Sequence, residues 1–252
     1  MDQDSRRLFL RNAVIVAGSA FALNSCAKPA ANTRTPQTAQ PDQTNAKSDD
    51  AEKEVTATEH LMREHGILRR ALIVYGTVAS KLRAKPADVS PDSLQKTAKL
   101  FRTFGEDYHQ RTLEEAILFP RVKQKGGEPG ELADILVVQH NRGREITDYL
   151  LAVSKTAKFG ANATVLADVL DGFAHMYATH TAYEDTILFP AWKDALTNSE
   201  YDDMSSKFDD LEDKQLGDDG FQDAEDEISK VEAGLDLDNI SKVTAPAPPA
   251  AS

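Results

Sequence analysis

Four histidines, His65, His109, His140 and His180, and two glutamates, Glu114 and Glu184, are the residues whose types and spacing can do chemistry. His180 and Glu184 stand four apart, which on a helix puts both on one face. Imidazole with carboxylate is a ligand set for iron, manganese or zinc. The chain has a single cysteine, so disulfide scaffolds and thiolate-rich zinc or iron–sulfur sites are excluded, and Cu(I) is a poor match. Any metal chemistry must use histidine and acid. Four imidazoles and two carboxylates buried together without a cation would be costly, because ionised groups in a low-dielectric interior need compensation.

An internal repeat links two of these groups. Leu113-Glu114-Glu115-Ala116-Ile117-Leu118-Phe119-Pro120 matches Tyr183-Glu184-Asp185-Thr186-Ile187-Leu188-Phe189-Pro190 at a constant offset of 70 residues, extending to Lys123 and Lys193. Two similar helices each supplying a histidine and an acid suit a dinuclear site. His109 and Glu114, however, are five apart, and five residues of ideal helix turn two side chains about 140° from one another. Either a one-residue π-bulge lies near residues 110–113, or Glu115 is the inward acid. The bulge is preferred, because π-bulges recur at functional sites and this one keeps Glu114 equivalent to Glu184. His60 and His175 each lie five residues from a core histidine and are expected at the surface. Glu64, Arg142 and Arg144 are also placed nearer the surface by helical phase, with ion pairing as their role. Tyr108 and Tyr177 share faces with the ligands and are expected to pack there.

The elements that must position these residues are four amphipathic helices. Leu61, His65, Leu68, Leu72, Tyr75, Ala79 and Leu82 alternate spacings of four and three, the pattern of a helix in a bundle. Leu94, Ala98, Phe101, Gly105, Tyr108 and Thr112 mark a second stripe, begun by a Ser90 or Asp92 cap, with His109 at its margin. Leu132, Leu136, His140, Gly143, Thr147 and Leu150 form the third, after a glycine-rich break at residues 126–130, and Leu166, Leu170, Phe173, Tyr177, His180, Glu184 and Ile187 form the fourth. Long helices with short connections predict an all-α, up-down-up-down antiparallel four-helix bundle over residues 53–197.

The flanks read differently. Ser5-Arg6-Arg7-Leu8-Phe9-Leu10 followed by the short apolar run 13–23 predicts a twin-arginine export signal over residues 1–26. Leu23-Asn24-Ser25-Cys26 is close to a lipoprotein box, making Cys26 the candidate lipidation site and the mature protein periplasmic or membrane-anchored. Residues 27–52 and 241–252 lack the apolar content to fold. Of 41 acidic residues, 16 fall within residues 199–238 against three lysines, so this stretch carries −13 and the rest of the chain is close to neutral, the −12 net charge belonging to an acidic, amphipathic helical extension over residues 198–240. Phe208, Leu211, Leu216, Phe221, Ile228, Val231 and Leu235 are its docking residues, and Gly217-Asp218-Asp219-Gly220 lacks the alternating acids of a calcium loop. The acidic balance argues against nucleic acid as a partner, and a membrane is expected only through the lipid anchor.

From about Thr56 to Lys193 the chain resembles the hemerythrin-like, or HHE cation-binding, family. The resemblance rests on Arg63-Glu64-His65-Gly66, Tyr108-His109 with Glu114-Glu115 and Leu118-Phe119-Pro120, Gln139-His140, and His180-Thr181-Ala182-Tyr183-Glu184 with Leu188-Phe189-Pro190. It implies two Fe ions in an oxo- or hydroxo-bridged pair, with His65, His109, His140 and His180 as terminal ligands and Glu114 and Glu184 as bridges. Dioxygen, nitric oxide or peroxide are the implied small ligands. In the oxygen carriers of this family a second histidine follows four residues along the third helix, where this chain has Arg144. The carriers also use an aspartate five residues after the last histidine, which makes Asp185 the reserve ligand. The expectation is a binding or sensing protein; the alternatives are a di-iron oxidase, peroxidase or nitric-oxide-handling enzyme, and a structural zinc module.

Overall fold

The computed structural model describes residues 55–155, 158–160 and 162–249, and all of its long elements are helical. The export signal, Cys26 and the whole linker over residues 27–52 lie outside these residues.

Helix α1 (Ala57–Ala84) starts at Thr56, whose hydroxyl accepts from the Glu59 amide. A 3-10 turn (Pro86–Asp88) leads to α2 (Pro91–Leu100), capped by Ser90 rather than Asp92, since the Ser90 hydroxyl accepts from the Asp92 amide. The chain continues without a break through a π-helical segment, π1 (Phe101–Leu118), into α3 (Phe119–Lys125). Gly126 and Gly127 then take φ values of +75° and +72°, a left-handed conformation that favours glycine, and α4 (Gly127–Val153) begins at once. The expected glycine-rich break is thus two backbone torsions rather than a loop. Helix α5 (Ala163–Tyr183) continues through π2 (Glu184–Leu188) into α6 (Phe189–Lys193).

Tyr75, Phe101, Phe173 and Tyr177 form an aromatic cluster with ring centroids 4.8 to 6.3 Å apart, bringing α1, π1 and α5 together. The anticipated stripe of α1, from Leu61 to Leu82, is buried throughout. Gly143 permits the closest approach in this core: a Cβ there would lie 2.0 Å from the Tyr177 hydroxyl.

Helices α7 (Asn198–Leu216) and α8 (Gly220–Ala233) follow. Thr197 and Glu200 form a capping box at the start of α7. Phe208 and Ile228 are fully buried, Phe208 stacking on Trp192 at 5.9 Å. Arg70 of α1 binds Glu232 and Ser229 of α8, Thr58 binds the Tyr201 hydroxyl, and Arg121 reaches Glu200. The acidic helices therefore meet arginines of the earlier helices through Glu232 and Glu200. Among the described residues no helix is long and apolar enough to cross a membrane.

Candidate metal centre

The six residues singled out by type and spacing converge from four helical runs. His65 comes from α1, His109 and Glu114 from π1, His140 from α4, His180 from α5 and Glu184 from π2. All are at most 2% exposed. Each glutamate spans two pairs of histidines. Glu114 places Oε1 at 3.2 Å from His109 Nε2 and 4.0 Å from His65 Nε2, and Oε2 at 3.3 Å from His140 Nε2. Glu184 places Oε2 at 3.4 Å from His65 Nε2 and Oε1 at 3.0 Å from His180 Nε2.

π-Helical geometry is what turns Glu114 inward with His109, whereas Glu184 shares a face with His180 by ordinary α-helical spacing, its amide bonded to the His180 carbonyl. The Phe119 amide bonds to the Glu114 carbonyl and the Phe189 amide to the Glu184 carbonyl, both five residues back and again 70 apart. In the first repeat the widened turn absorbs the extra residue between His109 and Glu114. It is longer than a single bulge, covering the whole of Phe101–Leu118. The π2 segment in the second repeat is a feature that regular helical phase did not predict. Each segment returns to α-helix at a Phe-Pro step, and the phenylalanines wall the centre: Phe119 stacks on His140 at 5.6 Å and Phe189 lies 5.1 Å from His65.

Behind every inward imidazole stands an acceptor on another helix. His65 Nδ1 meets Asp185 at 2.8 Å, His109 Nδ1 meets Glu64 at 2.5 Å, His140 Nδ1 meets Glu115 at 2.7 Å, and His180 Nδ1 meets Gln139 at 2.8 Å. These contacts hold the proton on Nδ1 and aim the Nε2 lone pairs into the centre, the arrangement by which outer carboxylates orient metal-binding histidines. Asp185 and Glu115, the reserve ligands, thus sit on the outer side of His65 and His140, each clamped by an arginine, Arg69 and Arg144 respectively.

Three expectations are corrected. Glu64 is 1% exposed, because the π-helical displacement of His109 brings that ring over it. Arg144 is buried to 9% exposure by its ion pair with Glu115. His60 is buried against Phe208 and Asp209 of α7, an element whose docking face could not be placed from the sequence. His175 is exposed and Arg142 pairs with Glu145 at the surface. Tyr108 and Tyr177 are buried, Tyr177 accepting from Gln110 Nε2 at 3.1 Å.

A second repeat in the sequence marks the outer residues. Glu64-His65 with Arg69 and Gln139-His140 with Arg144 match at an offset of 75. Together with the offset of 70, this relates the first run to the third and the second to the fourth. His65–Asp185–Arg69 then corresponds to His140–Glu115–Arg144, and His109–Glu64 to His180–Gln139. Glu106 was also missed; it is fully buried between Thr147 and Arg102, and burial pushes its carboxyl up to about 7 against their hydrogen bond and charge.

Electrostatics and hydrogen bonding both leave the centre incomplete. His65 Nε2, His109 Nε2 and all four oxygens of Glu114 and Glu184 are buried without a hydrogen-bond partner. His140 and His180 point Nε2 at one another across 3.0 Å, two lone pairs face to face when Nδ1 carries the proton. Burial opposes charge on the imidazoles, yet the acids win: His140 is raised to about 9 by Glu114 and Glu115, and His109 lies well above the ordinary value through Glu114 and Glu64. Burial likewise pushes Glu184 up, but His180 and His65 outweigh it and hold it well below the usual carboxylate range. Cations fit the orphaned atoms, with Glu114, His140, His180 and Glu184 around one position and His65, His109 and Glu114 around a neighbouring one.

Residues 56–192 match the hemerythrin HHE cation binding domain. Three mycobacterial proteins, Rv1995 and MT2051 of Mycobacterium tuberculosis and Mb2018 of Mycobacterium bovis, are each 38% identical over 192 residues, covering 75% of this chain and 74% of the relative; each is named an uncharacterized protein. No solved structure matches the chain.

Proposed function

We propose that this chain, which belongs to the hemerythrin HHE cation-binding domain family, holds two iron ions side by side and uses them to bind or sense dioxygen, nitric oxide or peroxide. The runs 57–84, 91–125, 127–153 and 163–193 are read as an antiparallel up-down-up-down bundle around that pair. One observation carries the reading: each of two buried glutamates turns one oxygen to each of two histidine pairs. Two carboxylates spanning two imidazole pairs are the donor pattern of a dinuclear centre in a helix bundle.

His65, His109, His140 and His180 would be terminal ligands, and Glu114 and Glu184 bridges. A bound iron pair would supply open coordination positions and, when reduced, electrons to a small ligand. The protein supplies the rest. Asp185, Glu64, Glu115 and Gln139 fix each imidazole by tautomer and angle. Phe119 and Phe189 exclude water from two of the rings. Burial of every inward residue favours diatomic or similarly small ligands over an organic substrate.

A turnover reading stays in view for one reason. Arg144 occupies the place of a carrier histidine and is engaged with Glu115, so the centre has one nitrogen donor fewer, which suits oxidase, peroxidase or nitric-oxide-handling chemistry. Metal quantification with optical spectra before and after azide tests the pair. Two irons with an azide-shifted charge-transfer band support it, whereas one zinc and no iron per chain would replace it with a structural zinc module. Stopped-flow mixing of the reduced protein with oxygen separates the rest: a long-lived adduct released under vacuum marks binding, and steady oxygen consumption marks an enzyme.

Placement in the cell envelope is part of the same proposal. It rests on Arg6-Arg7 and the apolar run after them, with Cys26 as the lipid-bearing residue. Cell fractionation of the wild type and of Cys26→Ser tests it; a protein that stays in the cytoplasm sinks the export reading, and an unchanged membrane fraction for the variant sinks the anchor.

A further inference from the structure

We propose that His60, Glu64 and Glu212 form a further divalent-cation site, separate from the central pair, which fastens the acidic helix α7 to α1. His60 and Glu64 are one turn apart on α1 and face Glu212 of α7, and their donor atoms lie within 4.8 Å of one another. One imidazole with carboxylates is a donor set for zinc, manganese or ferrous iron.

Two buried atoms without partners mark the place. Glu64 spends Oε2 on His109 Nδ1, which leaves Oε1 buried with no hydrogen bond in the group it shares with His60 and Glu212. The Tyr108 hydroxyl is buried and unpartnered as well. Asp209, 3.4 Å from His60 Nε2, adds another carboxylate to the rim. Arg63, the arginine of α1 beside these residues, stacks over the Phe221 ring at 4.5 Å.

The pseudo-two-fold relation supplies an internal comparison. At an offset of 75, His60 and Glu64 correspond to Ile135 and Gln139. Ile135 is exposed. The donor pair therefore occurs on the half of the bundle where α7 docks, and the corresponding positions carry an apolar side chain and a neutral amide. A cation on Glu64 Oε1 also touches the central site, since the other oxygen of the same carboxylate orients His109.

The test uses the full chain dialysed against Zn2+ and analysed for metal per chain, in the wild type, His60→Asn, Glu212→Gln and Glu184→Ala. Glutamine keeps an acceptor for the Phe221 amide, which bonds Glu212 Oε1 at 2.7 Å. The wild type should retain one Zn2+ more than either His60→Asn or Glu212→Gln. Glu184→Ala should lose metal from the centre and keep this ion, so failure of the central reading and failure of this one give different patterns. Hydrogen exchange supplies a second readout: Zn2+ should slow exchange across residues 205–216 in the wild type and in Glu184→Ala, and not in Glu212→Gln. Equal zinc content in the wild type, His60→Asn and Glu212→Gln, or protection of α7 that persists in Glu212→Gln, overturns the site. Should His60→Asn prove misfolded by circular dichroism, Glu212→Gln alone decides.

Discussion

Nδ1 of His109 lies 2.5 Å from Oε2 of Glu64, a residue whose chain neighbour, His65, is itself in the centre. The same crossing occurs four times. Glu64 beside His65 serves His109, Gln139 beside His140 serves His180, Glu115 beside Glu114 serves His140, and Asp185 beside Glu184 serves His65. Each helical run thus carries an inner residue and, one position along, the outer partner of a different run. Misplacing one helix would disturb its own donor and a neighbour's orientation together.

Removing an outer acceptor should weaken metal binding without removing a donor. Asp185→Asn and Glu115→Gln are each expected to lower metal affinity about 10- to 100-fold. Chelator competition on the loaded protein measures this, and unchanged affinity in both variants would mean that the outer carboxylates do not tune the imidazoles.

His180→Ala should lose or scramble one metal, and Glu114→Ala combined with Glu184→Ala should abolish the coupled pair. The optical spectrum and iron content of the double variant decide the point. Two irons with an intact oxo-to-iron band would rule out the bridging role of the two acids.

Gly143→Ala should destabilise the fold by roughly 1–3 kcal/mol through overpacking. A Cβ there would lie 2.0 Å from the Tyr177 hydroxyl and 2.8 Å from its ring carbon Cζ. Adding Tyr177→Phe should therefore recover only part of the loss in urea unfolding, since the ring remains. Full recovery would locate the clash in the hydroxyl alone.

The metal-free protein should lose stability as pH rises from about 6.5 to about 9. His140 carries a pKa raised to about 9, because Glu114 and Glu115 outweigh the opposing burial. A raised value means that its contribution is fully present below the unfolded pKa and is lost as pH passes through the folded one. The difference is worth roughly 3 kcal/mol. Metal affinity should move the other way over the same range, since a cation must displace that proton. Thermal melts of metal-free and loaded protein across this window check both signs.

Phe208→Ala should cost about 3–5 kcal/mol, as for other fully buried aromatics. Phe208 is stacked on Trp192 and packed by His60. Chemical denaturation of the full chain measures the loss, and a value near zero would mean that α7 adds nothing to the stability of the helices beneath it.

The sequence by itself determined the helices, their buried stripes and the four convergent histidines. Periodicity reports which face of a helix is buried, and a stripe histidine in each of four runs shares that face. The mismatch of five residues between His109 and Glu114 also announced a departure from α-helical geometry, because no regular helix can turn both side chains inward. What periodicity cannot carry is the environment of a face set by another element. Glu64 and Arg144 read as surface residues because helical phase treats each helix alone. They are buried because a π-helical ring in one case and the carboxylate Glu115 in the other come over them from a different run. His60 belongs to the same class, since its cover is α7, whose docking side is fixed by Phe208 packing on Trp192 of the assembled helices. The tertiary structure decided which acids face inward and which stand behind the histidines. The choice between Glu114 and Glu115 depends on a fraction of a helical turn, which the widened backbone of π1 supplies, whereas Glu184 rather than Asp185 faces inward with His180 through ordinary α-helical spacing.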